Sequence, residues 1–210
     1  MIVKPLVLII LGLNIRHKNN LPKKGPAIIV ANHNSHLDTI VLMTLFPLKL
    51  LPKLRPVAAA DYFLKNKIIS WFALNVIGII PIDRKKRVSA DKVFKNITDA
   101  IDNKDIIILY PEGSRGEPEK LEHFKTGTAH LAEMRKEVPI IPVFLHGLGK
   151  ALPKGDWVLV PFFCDVFIGK SLKYTQCKKS FMHDLDLQME IFNKEFNSSI
   201  DEEDNYSGAE

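Results

Sequence analysis

The stretch Asn32-His33-Asn34-Ser35-His36-Leu37-Asp38 sets an imidazole and a carboxylate five positions apart. An imidazole that titrates near neutrality can act as a general base, and a carboxylate bonded to its other nitrogen fixes the tautomer and stabilises the imidazolium. On one continuous helix five residues turn through about 500°, which leaves the two side chains about 140° apart. A turn between them is therefore required. Ser35-His36-Leu37-Asp38 supplies it: this is the S-x-x-D form of a helix start, with Ser35 as N-cap and Asp38 near the third position. His33 then lies in the turn and Asp38 in the first helical turn, within reach of each other. Two other readings use the same residues. In one, Asp38 only caps the helix and His33 is a turn residue. In the other, His33, His36 and Asp38 hold a metal ion with help from His130 or His146, although no spacing recommends those partners.

Three further stretches carry polar side chains at the ends of apolar runs. "GIIPIDR" ends on Arg84 and is followed by "KKR"; "YPEGSRG" holds Glu112, Gly113, Ser114 and Arg115; "VPIIPV" puts two prolines around an apolar pair. Each has a plain explanation as well: a solvated basic face, a turn, and an edge strand.

The elements that must position these residues alternate in type. Short β-branched runs, "PAIIVAN" (26–32), "RPVAAA" (55–60), "GIIPID" (78–83), "DIIILY" (105–110) and "VPIIPVFLHG" (138–147), alternate with helix-period segments. Those segments are "LDTIVLMTLF", "KNKIISWFALNV", "SADKVFKNITDAID", "KTGTAHLAEMRKE" and "FMHDLDLQMEIFNKEF". "DWVLVPFFCDVFIGK" reads as two further strands broken at Pro161. The rhythm predicts an α/β fold: a single domain with a mixed, mostly parallel sheet and helices on both faces. It divides the chain into an N-terminal membrane-interfacial segment (1–25), the main domain (26–200) and a flexible acidic tail (201–210). In such a sheet, chemistry gathers where strands end and turn into helices.

Charge is unevenly spread. Residues 1–90 hold 14 Lys and Arg against 3 acids, net +11, and residues 91–210 hold 15 against 21, net −6, which together give the chain's +5. The basic residues flank apolar runs such as "PLVLIILGLNIRHK" and "TIVLMTLFPLKLLPKLR" rather than aromatic and polar ones, which points to an anionic membrane surface and away from nucleic acid. A mean hydropathy of +0.02 agrees. No run reaches the roughly 18 apolar residues of a spanning helix; "IISWFALNVIGIIPI" is interrupted by Asn75, Gly78 and Pro81. The expectation is a peripheral or monotopic protein on the cytoplasmic face of a membrane. Cys164 and Cys177 lack the spacing of a zinc or redox pair.

Taken in order, "NHNSHLD" (32–38), "GIIPIDR" (78–84), "YPEGSR" (110–115) and "VPIIPV" (138–143) resemble the motifs of the glycerolipid acyltransferase family, the 1-acyl-sn-glycerol-3-phosphate and lysophospholipid acyltransferases. A family-like "FKTGTAHLA" (124–132) falls between the last two, and the resemblance runs from residue 26 to about 170. Departures are Pro81 and a short hydrophobic N-terminal region. The resemblance implies direct transfer of a fatty acyl group from acyl-CoA or acyl carrier protein to a lysolipid hydroxyl, the sn-2 hydroxyl of lysophosphatidic acid being the leading case. By the same resemblance His33 is the base, Asp38 its partner, Arg84 and Arg115 hold the acceptor phosphate, and Gly113 allows close backbone approach. Glu112 and Ser114 meet the glycerol, and Lys125 is a weaker candidate for the anionic pocket. No metal or cofactor is implied. The apolar stretches 40–51 and 68–80 are candidates to line or dock a lipid path. The alternatives are an acyltransferase for another lysolipid, a membrane-associated lipid hydrolase, or a lipid-binding protein. A serine hydrolase would want G-x-S-x-G, which "EGSRG" lacks, and its histidine after the serine, whereas His33 precedes Ser114.

Overall fold

A run of small and β-branched residues with no polar alternation suits a strand covered on both faces. In the computed structural model "PAIIVAN" supplies such a strand, β2 (Ala27–Ala31), with all five residues buried. It pairs in parallel with β5 (Ile106–Leu109) on one side and β6 (Ile140–His146) on the other. The structure describes residues 12–63, 66–82, 90–117, 120–152, 163–175 and 177–207. β3 (Leu54–Ala59) pairs in parallel with β5 and with β4 (Ile80–Ile82). β7 (Cys164–Ile168) runs antiparallel to β6 and parallel to β1 (Leu13–Arg16). The order across the sheet is β1-β7-β6-β2-β5-β3-β4, a single mixed and mostly parallel sheet of the expected kind.

Alternate residues of β2 feed two cores. Ile28 and Val30 pack with Ile97, Ile107, Phe144, Leu185 and Phe192 on one face; Ala27, Ile29 and Ala31 pack with Val41, Leu42, Ile108 and Val143 on the other. The first face is covered by α3 (Ala90–Asp102), α4 (Gly127–Met134) and α5 (Lys178–Ser207), the second by α1 (Leu37–Thr44). α3 shows why "SADKVFKNITDAID" makes a helix: Ile97, Ala100 and Ile101 are buried at helical spacing while Lys95, Asn96 and Asp99 face water. Burying each such isoleucine contributes about 1.5–3 kcal/mol. A short helix, α2 (Lys67–Phe72), continues into a π-helical turn, Ala73–Ile77, before β4.

Several expectations need correction. The prolines of "VPIIPV" do not mark an edge: Pro142 lies in β6, between β2 and β7. A proline there has no N–H to give β7, and the regular ladder breaks at that point, with a single bridge beyond it between Ile140 and Leu172. The Gly169 N–H donates to the Pro142 carbonyl at 2.8 Å, and a Cβ on Gly169 would meet the Pro142 ring at 2.7 Å. Residues 13–16, counted with the N-terminal segment, form edge strand β1 of the sheet. The backbone of α5 stays helical to Ser207, where the sequence reading placed a frayed tail. Of the two strands expected in "DWVLVPFFCDVFIGK", β7 is described, and residues 153–162 lie outside the described residues.

From β2 the chain crosses to β3 on one side; from β5 it crosses to β6 on the other. The reversal opens a crevice at the carboxyl ends of β2 and β5, the usual place for a site in an open α/β sheet.

Candidate active site

Asn32 and His33 follow the last residue of β2. The Asn32 amide, 1% exposed, closes a two-way clamp on β6: its Nδ2 donates to the Leu145 carbonyl at 2.8 Å and its Oδ1 accepts from the Leu145 N–H at 2.7 Å. The chain is thus held where it leaves the sheet. His33 is gripped from the loop after β5. Its N–H donates to Glu112 Oε2 (3.3 Å), and its carbonyl accepts from the Gly116 N–H (3.0 Å). The Tyr110 ring stacks on the imidazole, with centroids 4.1 Å apart and planes 20° from parallel, and its hydroxyl hydrogen-bonds Thr39 Oγ1 at 2.9 Å. Position and ring plane are therefore both fixed before any substrate arrives.

Asp38 is fully buried in the first turn of α1. Its Oδ2 accepts three hydrogen bonds: from His33 Nδ1 at 2.8 Å, the Asn34 N–H at 2.8 Å and the Ser35 N–H at 3.0 Å. Asp38 therefore both orders the turn and holds the imidazole. The N-cap is His36 rather than the expected Ser35, so Asp38 closes the turn ahead of α1 through the Asn34 and Ser35 N–H groups while the same oxygen holds the imidazole. The Ser35 hydroxyl accepts weakly from the Leu37 N–H (3.3 Å) and donates to the Leu152 carbonyl (3.0 Å). With Nδ1–H committed to Asp38, a neutral His33 carries its lone pair on Nε2.

His33 stands at the polar end of a cavity of about 490 Å³. His36, Gly113, Ser114 and Arg115 line that end. The rest of the wall is apolar, with Ile40 and Met43 from α1, Pro56 to Ala59 from β3, and Ile77, Ile79 and Ile82 around β4. Burial, then the nearby Arg115 charge, lowers the His36 pKa, so this ring is neutral beside the site. Gly113 sits at φ +75°, so the loop needs glycine for its turn, and the Lys125 side chain packs over it, its Nζ 2.6 Å from where a Cβ would stand. Lys125 is thereby placed beside the loop, with its own N–H on the Pro111 carbonyl at 3.0 Å.

Glu112 differs from expectation. Its carboxyl, 4% exposed, does not line the cavity but lies behind the loop against the His33 backbone. Burial, with the neighbouring Asp38 and Glu122 charges adding to it, pushes its pKa up to about 8, so it is protonated at neutral pH. Burial and Asp38 likewise raise Tyr110 well above its ordinary value, and it stays a phenol.

Of the residues singled out in the sequence, His33, Asp38, Gly113, Ser114 and Arg115 converge at one end of the cavity. Glu112 supports them from behind, and Arg84 lies outside the described residues. Tyr110 and Asn32 were given no role by sequence reasoning; no spacing rule announces a ring stack or a strand clamp. Among the described residues no three His, Cys, Asp or Glu side chains are grouped as a metal site requires, and no helix is long and apolar enough to cross a membrane.

A family profile described as Acyltransferase matches residues 12–146. A 1-acyl-sn-glycerol-3-phosphate acyltransferase of Saccharomyces cerevisiae is 35% identical over 140 residues, covering 64% of this chain and 44% of that protein. One from Limnanthes douglasii is 29% identical over 166 residues, covering 76% of this chain and 55% of that protein. The chain spans about two fifths of the length of other curated relatives it matches, 38% and 44% for two of them. The crystal structure of the 1-acyl-sn-glycerophosphate acyltransferase PlsC from Thermotoga maritima has the same fold, with a TM-score of 0.74 at 21% identity over 93% of this chain and 77% of that one.

Proposed function

The chain belongs to the acyltransferase family, and from that membership we propose that it moves a fatty acyl group from an acyl thioester to the free sn-2 hydroxyl of lysophosphatidic acid, giving phosphatidic acid. The observation that carries the reading is the 2.8 Å contact between His33 Nδ1 and a fully buried Asp38, set where an apolar cavity meets Arg115. His33 Nε2 takes the hydroxyl proton as the oxygen attacks the thioester carbonyl; Asp38 stabilises the imidazolium that forms. Collapse of the tetrahedral intermediate breaks the C–S bond, and the thiolate leaves with the proton from His33. No acyl-enzyme is formed.

Arg115 suits the acceptor phosphate, because its guanidinium can give two parallel hydrogen bonds to phosphate oxygens. Arg84 is assigned to the same anion from the sequence, and Ser114 with the Gly113 backbone to the glycerol. Glu112 is reassigned from the glycerol to holding the His33 backbone. The apolar walls suit an acyl chain. The donor is acyl-CoA or acyl carrier protein, entering as substrate with no further cofactor, and the enzyme works at an anionic membrane surface on its cytoplasmic side. The test is product analysis by mass spectrometry, offering each donor with lysophosphatidic acid, with lysophosphatidylcholine and with no acceptor. Phosphatidic acid formed from either donor supports the reading. Free fatty acid as the sole product would replace it with a hydrolase, and products from lysophosphatidylcholine alone would move the acceptor.

A further inference from the structure

Helix α2 and the turn that follows it form an apolar ledge. Ile68, Ile69, Trp71, Phe72, Leu74 and Val76 are between 38% and 79% exposed, and within this segment Ala73 is the buried residue. Six large apolar side chains exposed along one short segment form a contiguous patch of the kind that marks an interaction surface. The helix is well made: the Asn66 side chain caps it, accepting from the Ile68 and Ile69 N–H groups at 2.9 and 3.4 Å. The exposed Asn75 amide donates back to the Trp71 carbonyl at 2.8 Å.

Two observations say what covers the ledge. Across residues 39–82 the chain carries five Lys and Arg, Lys67 of the ledge among them, against one acid, Asp61, a net charge of +4. A surface that is apolar and drawn from a net basic stretch is complementary to an anionic lipid leaflet. The ledge is also continuous with the cavity: Ile77, at its end, lines the cavity wall with Ile40 and Met43. We propose that the segment Lys67–Ile77 lies in the interfacial plane of an anionic bilayer, so that acyl chains pass from the leaflet into the cavity between Ile77 and Ile40 without crossing water. This rests on the acyl-transfer reading for the purpose of the path, though not for the contact itself.

Trp71 is the reporter. In a Trp157→Phe variant, Trp71 is the chain's remaining tryptophan. Its emission should shift to the blue on vesicles of phosphatidylcholine with phosphatidylglycerol, less so on phosphatidylcholine alone, and should be quenched by brominated acyl chains. Separately, an Ile68→Glu/Trp71→Glu variant should lower partition onto the anionic vesicles by at least about tenfold. Its activity on vesicle-borne long-chain lysophosphatidic acid should fall alongside. Its far-ultraviolet circular dichroism and its activity on hexanoyl-CoA with hexanoyl-lysophosphatidic acid in free solution should match the parent. Trp71 emission indifferent to vesicles would overturn the proposal. So would vesicle binding by the double variant equal to the parent's, which would hand the contact to residues 1–11, or a concentration-dependent dimer that the variant abolishes. Should the parent be inactive on lysophosphatidic acid both in vesicles and in free solution, the acyl-transfer reading fails while the vesicle data still decide the surface.

Discussion

Replacing Glu112 by Gln should stabilise the protein in a pH-dependent way. Folding holds the Glu112 proton to about pH 8, whereas an exposed glutamate loses it near 4.5. Below pH 4.5 both folded and unfolded chains are protonated at this site and nothing changes with pH. Between 4.5 and 8 the unfolded chain releases the proton and the folded one keeps it, so the wild type loses stability as pH rises. At about 1.4 kcal/mol per unit the ceiling is about 5 kcal/mol. Loop relaxation around Glu112 lets water in and reduces it, to about 2–3 kcal/mol by our reckoning. Glutamine has the same shape, keeps an oxygen for the His33 N–H, and does not titrate. Any fixed cost of its NH₂ near the site of Oε1, which has no partner in the structure, cancels when two pH values are compared. The assay is thermal unfolding of wild type and variant at pH 5 and pH 8.5. The variant's advantage should grow by about 5–10 °C between them for a chain of this size. An advantage that is the same at both values would refute the reasoning, because it would mean that Glu112 is ionised in the folded protein as it is in water.

Other substitutions separate roles that share residues. Ser35→Ala should cost about 1–2 kcal/mol in urea unfolding, through the lost bond to the Leu152 carbonyl, and leave kcat within a few-fold. Asp38→Asn should lower kcat about a hundredfold or more, because a neutral amide stabilises the imidazolium poorly, and a kcat within threefold of wild type would return Asp38 to a helix cap alone. Tyr110→Phe keeps the ring on His33 and should retain most of kcat, while Tyr110→Leu removes the stack and should lower it about tenfold, read in the same steady-state assay. Arg115→Ala should raise KM for lysophosphatidic acid at least about tenfold and leave KM for the acyl donor unchanged.

The fold was legible where local pattern and burial agree. "PAIIVAN" and "DIIILY" are apolar throughout because both faces of β2 and β5 are covered, and they read as central strands at once. "VPIIPV" misled because a proline excludes a strand from a ladder only where the partner needs its N–H, and β7 ends as a strand at Ile168, opposite Val143. That depends on a partner some 25 residues away. The His33 and Asp38 contact was legible because five residues and one helix start fix it locally. Its supports were not: Asn32 reaches Leu145 and Glu112 reaches His33 across 113 and 79 residues. Sequence shows that Glu112 stands beside Arg115, but side-chain direction decides that one lies behind the loop and the other lines the cavity.

The most direct test of His33 as the base is acceptor-dependent thiol release from a long-chain acyl-CoA, measured with and without lysophosphatidic acid, for wild type and for His33→Ala shown by circular dichroism to be folded. Release should require the acceptor in the wild type and fall at least about a thousandfold in the variant. Acceptor-dependent release by the folded variant at a rate near that of the wild type would contradict the account.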